Sequence, residues 1–210
     1  MIPKILQKLN QQRPTADWIC RRSGAPYLPL DIQVPTQAIM EEWHQVAGES
    51  VKHRSQDHTM GQSHKGWRSL TLHGVSPSVT TESDLAHTWT EIADRCPQTR
   101  LFLEREFQIG PDTGRIRFML LAPGGHIMPH QDYDTPELTA VNIAINNPTG
   151  CEFRMMNHGV VPFRTGRAMM LDLSHRHWVI NPTQEPRIHI ICHARVPDST
   201  IERSYANSRY

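Results

Sequence analysis

The spacing of apolar residues changes along the chain. Up to about residue 48 they recur at helical intervals: Ile2, Ile5, Leu6 and Leu9, then Ile39, Met40, Trp43, Val46 and Ala47. Thr36 stands where it can cap the second of these helices, and Gly48 where it can stop it. The Pro-rich piece between them, 25–35, reads as irregular. The stretch 49–65 is polar, holds His53, His58 and His64 at no ligand-like spacing, and reads as a solvated loop. At Gly66 the pattern turns to strand, with Trp67, Leu70 and Leu72. One helix is expected from about 83 to 96, with Leu85, Trp89, Ile92 and Ala93 on one face and Pro97 ending it. Short apolar runs between Gly, Pro and Asn turns then predict strands over 115–122, 126–130, 139–145, 151–156, 160–163, 168–173, 175–180 and 187–194. Strands this short and regular suggest a mainly β domain, an antiparallel sandwich or barrel of jelly-roll type. The chain thus divides into an N-terminal helical and irregular extension (1–65), a β domain (66–196) and a loose polar tail (197–210).

Composition narrows the classes of partner. Net charge is +1 and no basic stripe or charge block stands out, which argues against nucleic acid. No apolar run approaches the length of a membrane span. The first residues lack the apolar core of a signal peptide. Cys20, Cys96, Cys151 and Cys192 are scattered without a Cys-x-x-Cys and read as free thiols, so a cytoplasmic location is expected.

The candidate chemistry lies between two strand-like runs, Ile116–Leu121 and Val141–Ile145. There His130-Gln131-Asp132 places an imidazole and a carboxylate two residues apart, on one side of an extended segment. Such a pair can take neighbouring positions on one metal ion. A later His would complete a 2-His-1-carboxylate triad with open positions for co-substrate and oxygen. With 13 His and 21 acidic residues, about one His-x-acid pair is expected by chance, and one is found. The spacing therefore needs context. The segment from Ala168 to Asn181 offers His175 and His177 on one strand face, and spacing does not choose between them. Arg187 heads the strand face of His189, Ile191 and His193, where a planar fork suits a carboxylate.

From Gly66 to Val196 the chain resembles the aspartyl/asparaginyl β-hydroxylase family of iron- and 2-oxoglutarate-dependent oxygenases. The pieces that carry the likeness are GRIRFMLLAPGGHIMPH, NIAI, NPTGCEFR and LDLSHRHWVIN followed by EPRIHI. The resemblance implies a double-stranded β-helix with flanking helices, Fe(II), and 2-oxoglutarate as co-substrate. It implies that His130 and His177 are metal ligands, with His175 a neighbour, and that Arg187 binds the far carboxylate of 2-oxoglutarate. The family's peptide hydroxylases typically lack the metal carboxylate, whereas this chain has Asp132. In that respect it is similar to the free-amino-acid hydroxylases. The family's Arg and His on the strand after the metal site fall here on Ala140 and Asn142, and its Ser falls on Met119. Asn142 can still donate a hydrogen bond, and Arg117 is the candidate replacement cation. The expected substrate is an aspartyl- or asparaginyl-type side chain or a small free amino acid. It would be held in a compact polar pocket walled by Ala140, Asn142 and Ala144, with Asp134 or Glu137 near its amino group. The rival readings are a silent metal- or acid-binding jelly roll and a zinc-dependent enzyme of the same fold.

Overall fold

The structure, a computed structural model, describes residues 24–53, 64–78, 87–132 and 138–208. The Ile2–Leu9 stripe, Cys20, His58, Leu85, Asp134 and Glu137 lie outside the described residues. The chain forms β1 (Tyr27–Leu30), α1 (Thr36–Val46), a 3-10 turn (Ala47–Glu49), β2 (Val51–Lys52) and β3 (Lys65–Gly74). β4 (Thr88–Trp89), α2 (Glu91–Asp94) and α3 (Pro97–Glu106) follow. Next come β5 (Ile116–His130), β6 (Leu138–Asn146), β7 (Glu152–Met155), β8 (Gly159–Val161), β9 (Ala168–Asp172), β10 (His177–Asn181) and β11 (Arg187–Cys192), with α4 (Asp198–Asn207) last.

β5 organises the rest. The two strands expected at 115–122 and 126–130 are one strand with a bend. At the bend, a Cβ on Gly125 would lie 2.7 Å from the Ala122 carbonyl and 2.8 Å from that of Lys65, so only glycine fits. Before the bend β5 pairs with β11, and after it with β10; β3 pairs along the first part and again at Lys65 with His126. β5 therefore belongs to two sheets. One runs β1-β9-β6-β11-β5 and continues to β3; the other runs β5-β10-β7-β8. All these pairings are antiparallel, as expected of a jelly roll.

Alternation sorts the side chains to two cores. Val141, Ile143, Ile188, Ile190 and Phe118 face the helices and share a core with Trp43 and Phe102. Their neighbours in sequence face the space between the sheets, where Leu121, Ile127, Phe153, Leu171 and Val179 cluster. The site lies in that space.

Several local expectations are corrected. Thr36 is the first helical residue of α1, not its cap; Pro35 stands at the N-cap position. Val51 and Lys52 pair with Ser69 and Arg68, and His53 is buried against Trp67, so the described start of the 49–65 stretch is not a solvated loop. A two-residue strand is too short to show a period. Thr88 and Trp89 form a strand on β3. Pro97 begins α3 and does not end a helix: at the first helical position its missing N–H would have had no partner anyway. The Glu42 carboxylate accepts the next two N–H groups, from Gln98 at 2.7 Å and Thr99 at 2.8 Å. The loose tail is helical over α4, which buries Thr200, Ile201 and Ser204. Its apolar contacts with the core are Ile201 and Tyr205, a single i, i+4 pair in a polar sequence; Ser204 Oγ, 2.8 Å from the Asp31 N–H, supplies a polar anchor. β1 and α1 also pack on the main sheet, through β9 and the core. Among the described residues no helix is long and apolar enough to cross a membrane.

Candidate active site

His130 ends β5 and His177 begins β10, and the register of the two strands sets them opposite each other. Their rings lie 4.3 Å apart between centroids. Asp132 follows the end of β5, and its N–H donates to the Leu173 carbonyl at 3.0 Å. That bond turns the carboxylate toward both rings. Its Oδ1 lies 3.8 Å from His130 Nε2 and its Oδ2 3.9 Å from His177 Nε2. The three ligand atoms fall within 4.8 Å of one another, the one such group among the described residues.

Backbone carbonyls fix which nitrogen each ring offers. His130 Nδ1 is 2.7 Å from the Met128 carbonyl, and His177 Nδ1 is 2.9 Å from the His175 carbonyl. A carbonyl only accepts, so each Nδ1 carries the proton and each Nε2 presents a lone pair toward Asp132. Two neutral imidazoles and a carboxylate, with their donor atoms converging, fit a divalent metal such as Fe(II). Phe153 stacks on His177 at 5.3 Å with 7° between the planes and holds that ring further.

His175 does not share a strand face with His177. It lies in the turn between β9 and β10, with its Nε2 3.5 Å from the buried Asp172. The turn itself is built by Asp172, whose Oδ1 accepts from the Ser174 N–H at 3.0 Å and hydroxyl at 2.6 Å. Asp172 was missed from sequence, although Asp-x-Ser is a recognisable side-chain-to-backbone turn.

Arg187 opens β11 and is 3% exposed. Its Nη2 is 3.0 Å from His189 Nδ1, its guanidinium lies 5.8 Å from the Phe163 ring, and its buried Nε has no hydrogen-bond partner. Burial lowers its pKa to about 10, which leaves it charged at neutral pH. A buried cation with an unmet donor is costly without an anion. A carboxylate in the cavity supplies one, so this pocket fits 2-oxoglutarate.

The support behind Arg187 is a polar chain that the sequence did not show. Arg187 only donates, so His189 Nδ1 accepts, and its Nε2 donates to Asn147 Oδ1 at 3.1 Å. The Asn142 side-chain amide lies 2.6 Å from the same Nδ1. Asn142 thus supports His189. Burial, and then Arg187, hold the His189 pKa well below its usual value. In the unfolded chain it titrates near 6.5, so below that pH the unfolded state takes up a proton that the folded state refuses. Stability is therefore expected to fall as pH drops below about 6.5. The urea midpoint of the wild type should fall more steeply between pH 7.5 and 5 than that of His189→Gln. Equal slopes would remove His189 from this effect.

The cavity between the sheets has a volume of about 70 Å³. The triad, Arg187, Asn142 and Arg117 all line it. The expected polar pocket is compact but largely apolar: Ala140 and Asn142 contribute, and Met119, Ile127, Leu171 and Val179 make much of the wall. Inner-facing side chains of several strands enter it, not those of β6 alone, and Ala144, expected as a wall, is not among the lining residues. His53 and Trp67 also line it.

A family model described as Aspartyl/Asparaginyl beta-hydroxylase matches residues 34–197. The chain belongs to this family. It is an oxidoreductase, a 2-oxoglutarate-dependent hydroxylase that works with Fe(II). Solved structures are alike in fold. A prolyl hydroxylase from Trichoplax adhaerens, in complex with a hypoxia inducible factor oxygen degradation domain peptide fragment, is 9% identical. The match covers 100% of this chain and 98% of that one, with a TM-score of 0.53. A prolyl-4-hydroxylase from Pseudomonas putida is 16% identical over 85% of this chain and 97% of its own, with a TM-score of 0.49. No match is found among curated proteins. The first likeness agrees with a double-stranded β-helix, the fold that the two sheets sharing β5 describe.

Proposed function

We propose that this β-hydroxylase family member oxidises a small free amino acid or an aspartyl- or asparaginyl-type side chain, with His130, Asp132 and His177 as the iron ligands. The observation that carries the assignment is the convergence of two Nε2 lone pairs and one carboxylate inside the cavity that also holds Arg187. When bound, iron and 2-oxoglutarate would supply the oxidising chemistry with dioxygen as the oxidant: one oxygen atom would enter the succinate formed as the co-substrate loses CO2, and the other the substrate. The chain supplies the rest. The Met128 and His175 carbonyls keep both imidazoles in the ligating tautomer. Arg187 binds the distal carboxylate, and His189, Asn142 and Asn147 hold its guanidinium in place. Met119, Leu171 and Val179 keep water from the reacting centre.

The test is a panel of free amino acids and Asp- and Asn-containing peptides, read as substrate-dependent succinate release and a mass gain of one oxygen, with the bound metal identified. Succinate release with iron bound is expected with members of that panel. Turnover confined to oligonucleotides or fatty acids would sink the substrate assignment. A zinc-loaded protein that releases no succinate would sink the metal assignment.

A further inference from the structure

We propose that Arg117 anchors a carboxylate of the primary substrate. That substrate is then a small carboxylic acid of amino-acid size, not an internal residue of a peptide. The inference rests on the assignment of the iron and 2-oxoglutarate sites above and narrows it.

Arg117 is 5% exposed and lines the same cavity as the triad and Arg187. Two buried guanidiniums in one cavity are unusual. Each must be matched by negative charge or by hydrogen bonds that replace water. Arg117 is also held by other groups of the chain. Those contacts orient a planar guanidinium fork, the geometry that suits two-point contact with a carboxylate.

The strand register separates the tasks of the two arginines. On β11 and β5, Arg187 lies opposite Leu121, and Ile191 lies opposite Arg117. The four-residue offset corresponds to roughly 13 Å along the strands. Asp132 is bonded to the Leu173 carbonyl, just beyond Asp172, which pairs with Leu138. From there β6 leads to Asn142 beside Ile191. The metal carboxylate and Arg117 therefore share one end of the main sheet, and Arg187 lies toward the other. A five-carbon diacid that reaches from the metal to Arg187 extends away from Arg117. Arg117 is left at the metal's end, where the substrate has to place the carbon to be oxidised. A carboxylate there makes a two-point contact that a neutral amide cannot reproduce.

The experiment compares the standard L-amino acids with the same compounds as α-carboxamides on the iron- and 2-oxoglutarate-loaded protein. It is scored by succinate and by the oxidised product. In parallel, 2-oxoglutarate affinity is measured calorimetrically for the wild type, Arg117→Gln, Arg117→Lys and Arg187→Gln, with Mn(II) in place of iron. At least one free acid should turn over, and its amide should react about 100-fold less efficiently or worse. Arg117→Gln should lose about as much in kcat/KM on the acid, Arg117→Lys should recover part of it, and both should keep 2-oxoglutarate affinity within about threefold. Should Arg117→Gln fail to fold, the acid-to-amide ratio in the wild type and in Arg117→Lys decides. A loss of 2-oxoglutarate affinity in Arg117→Gln as large as in Arg187→Gln overturns the proposal and gives Arg117 to the co-substrate. Equal turnover of acids and amides overturns it too, as does oxidation confined to blocked peptides, or no oxidation of any free acid by protein that binds 2-oxoglutarate. Wild-type protein that does not bind 2-oxoglutarate overturns the underlying site assignment, a result distinct from all the others.

Discussion

Replacing His130, Asp132 or His177 by alanine should strip iron(II) from the protein and abolish turnover, whereas His175→Ala should retain the metal. Each of the three contributes one atom to a group that converges within 4.8 Å, so losing any one leaves two ligands. A site built on three protein ligands holds the ion more weakly with two, and its geometry is less defined. His175 is different. Its side chain points to Asp172, and what it gives the site is its backbone carbonyl, which accepts from His177 Nδ1 at 2.9 Å. Alanine keeps that carbonyl. The expected cost of His175→Ala is no more than about tenfold to 100-fold in metal affinity, the range for support residues one step from the ion. Metal content after desalting and the visible spectrum of the Co(II)-loaded protein read this directly. A His175→Ala protein without metal, beside a His177→Ala protein that keeps it, would reverse the ligand choice.

That choice shows where sequence reasoning stopped. His175 and His177, two residues apart, are equivalent for any rule based on a two-residue period. Only the turn made by Asp172 and Ser174 removes His175 from the strand, and it does so through side-chain bonds to the backbone, which leave no hydrophobic pattern. The sheet was legible because its strands alternate against two cores at once: Val141, Ile143 and Ile188 to one side, Ala140, Asn142 and Arg187 to the other. The bend in β5 is visible as Pro123-Gly124-Gly125, which in the sequence reads as a break between strands. A glycine that lets two backbones approach looks the same in sequence as one that ends a strand. α4 and the β2 edge escaped because polar contacts and very few apolar residues anchor them, Ile201 and Tyr205 in α4 and no more than two residues of strand in β2. The polar chain behind Arg187 escaped for a related reason. His189, Asn142 and Asn147 come from strands and a loop that meet only once the sheet is formed.

Arg187→Lys should keep iron but bind 2-oxoglutarate more weakly, and Arg187→Ala should bind it more weakly still. The guanidinium is buried, its pKa of about 10 leaves it charged, and its Nε meets no hydrogen-bond partner. It sits over Phe163, and His189 Nδ1 takes one of its Nη2 hydrogens. Lysine can restore the charge but not a planar fork in which one nitrogen bonds His189 while others face the cavity. The loss for Arg187→Ala is expected on the order of 2–5 kcal/mol, because the carboxylate would be buried with no cation. That corresponds to roughly 30-fold to several-thousand-fold in dissociation constant. Iron content should not change, since Arg187 lies apart from the three ligand atoms. Calorimetric titration of 2-oxoglutarate into the Mn(II)-loaded protein measures the effect. The loss should be absent for a monocarboxylate chelator such as pyruvate, which has no distal carboxylate to present. Unchanged 2-oxoglutarate affinity in Arg187→Ala would remove this arginine from the co-substrate site. An equal loss for pyruvate would mean that the variant had disturbed the metal end of the cavity and not the anchor.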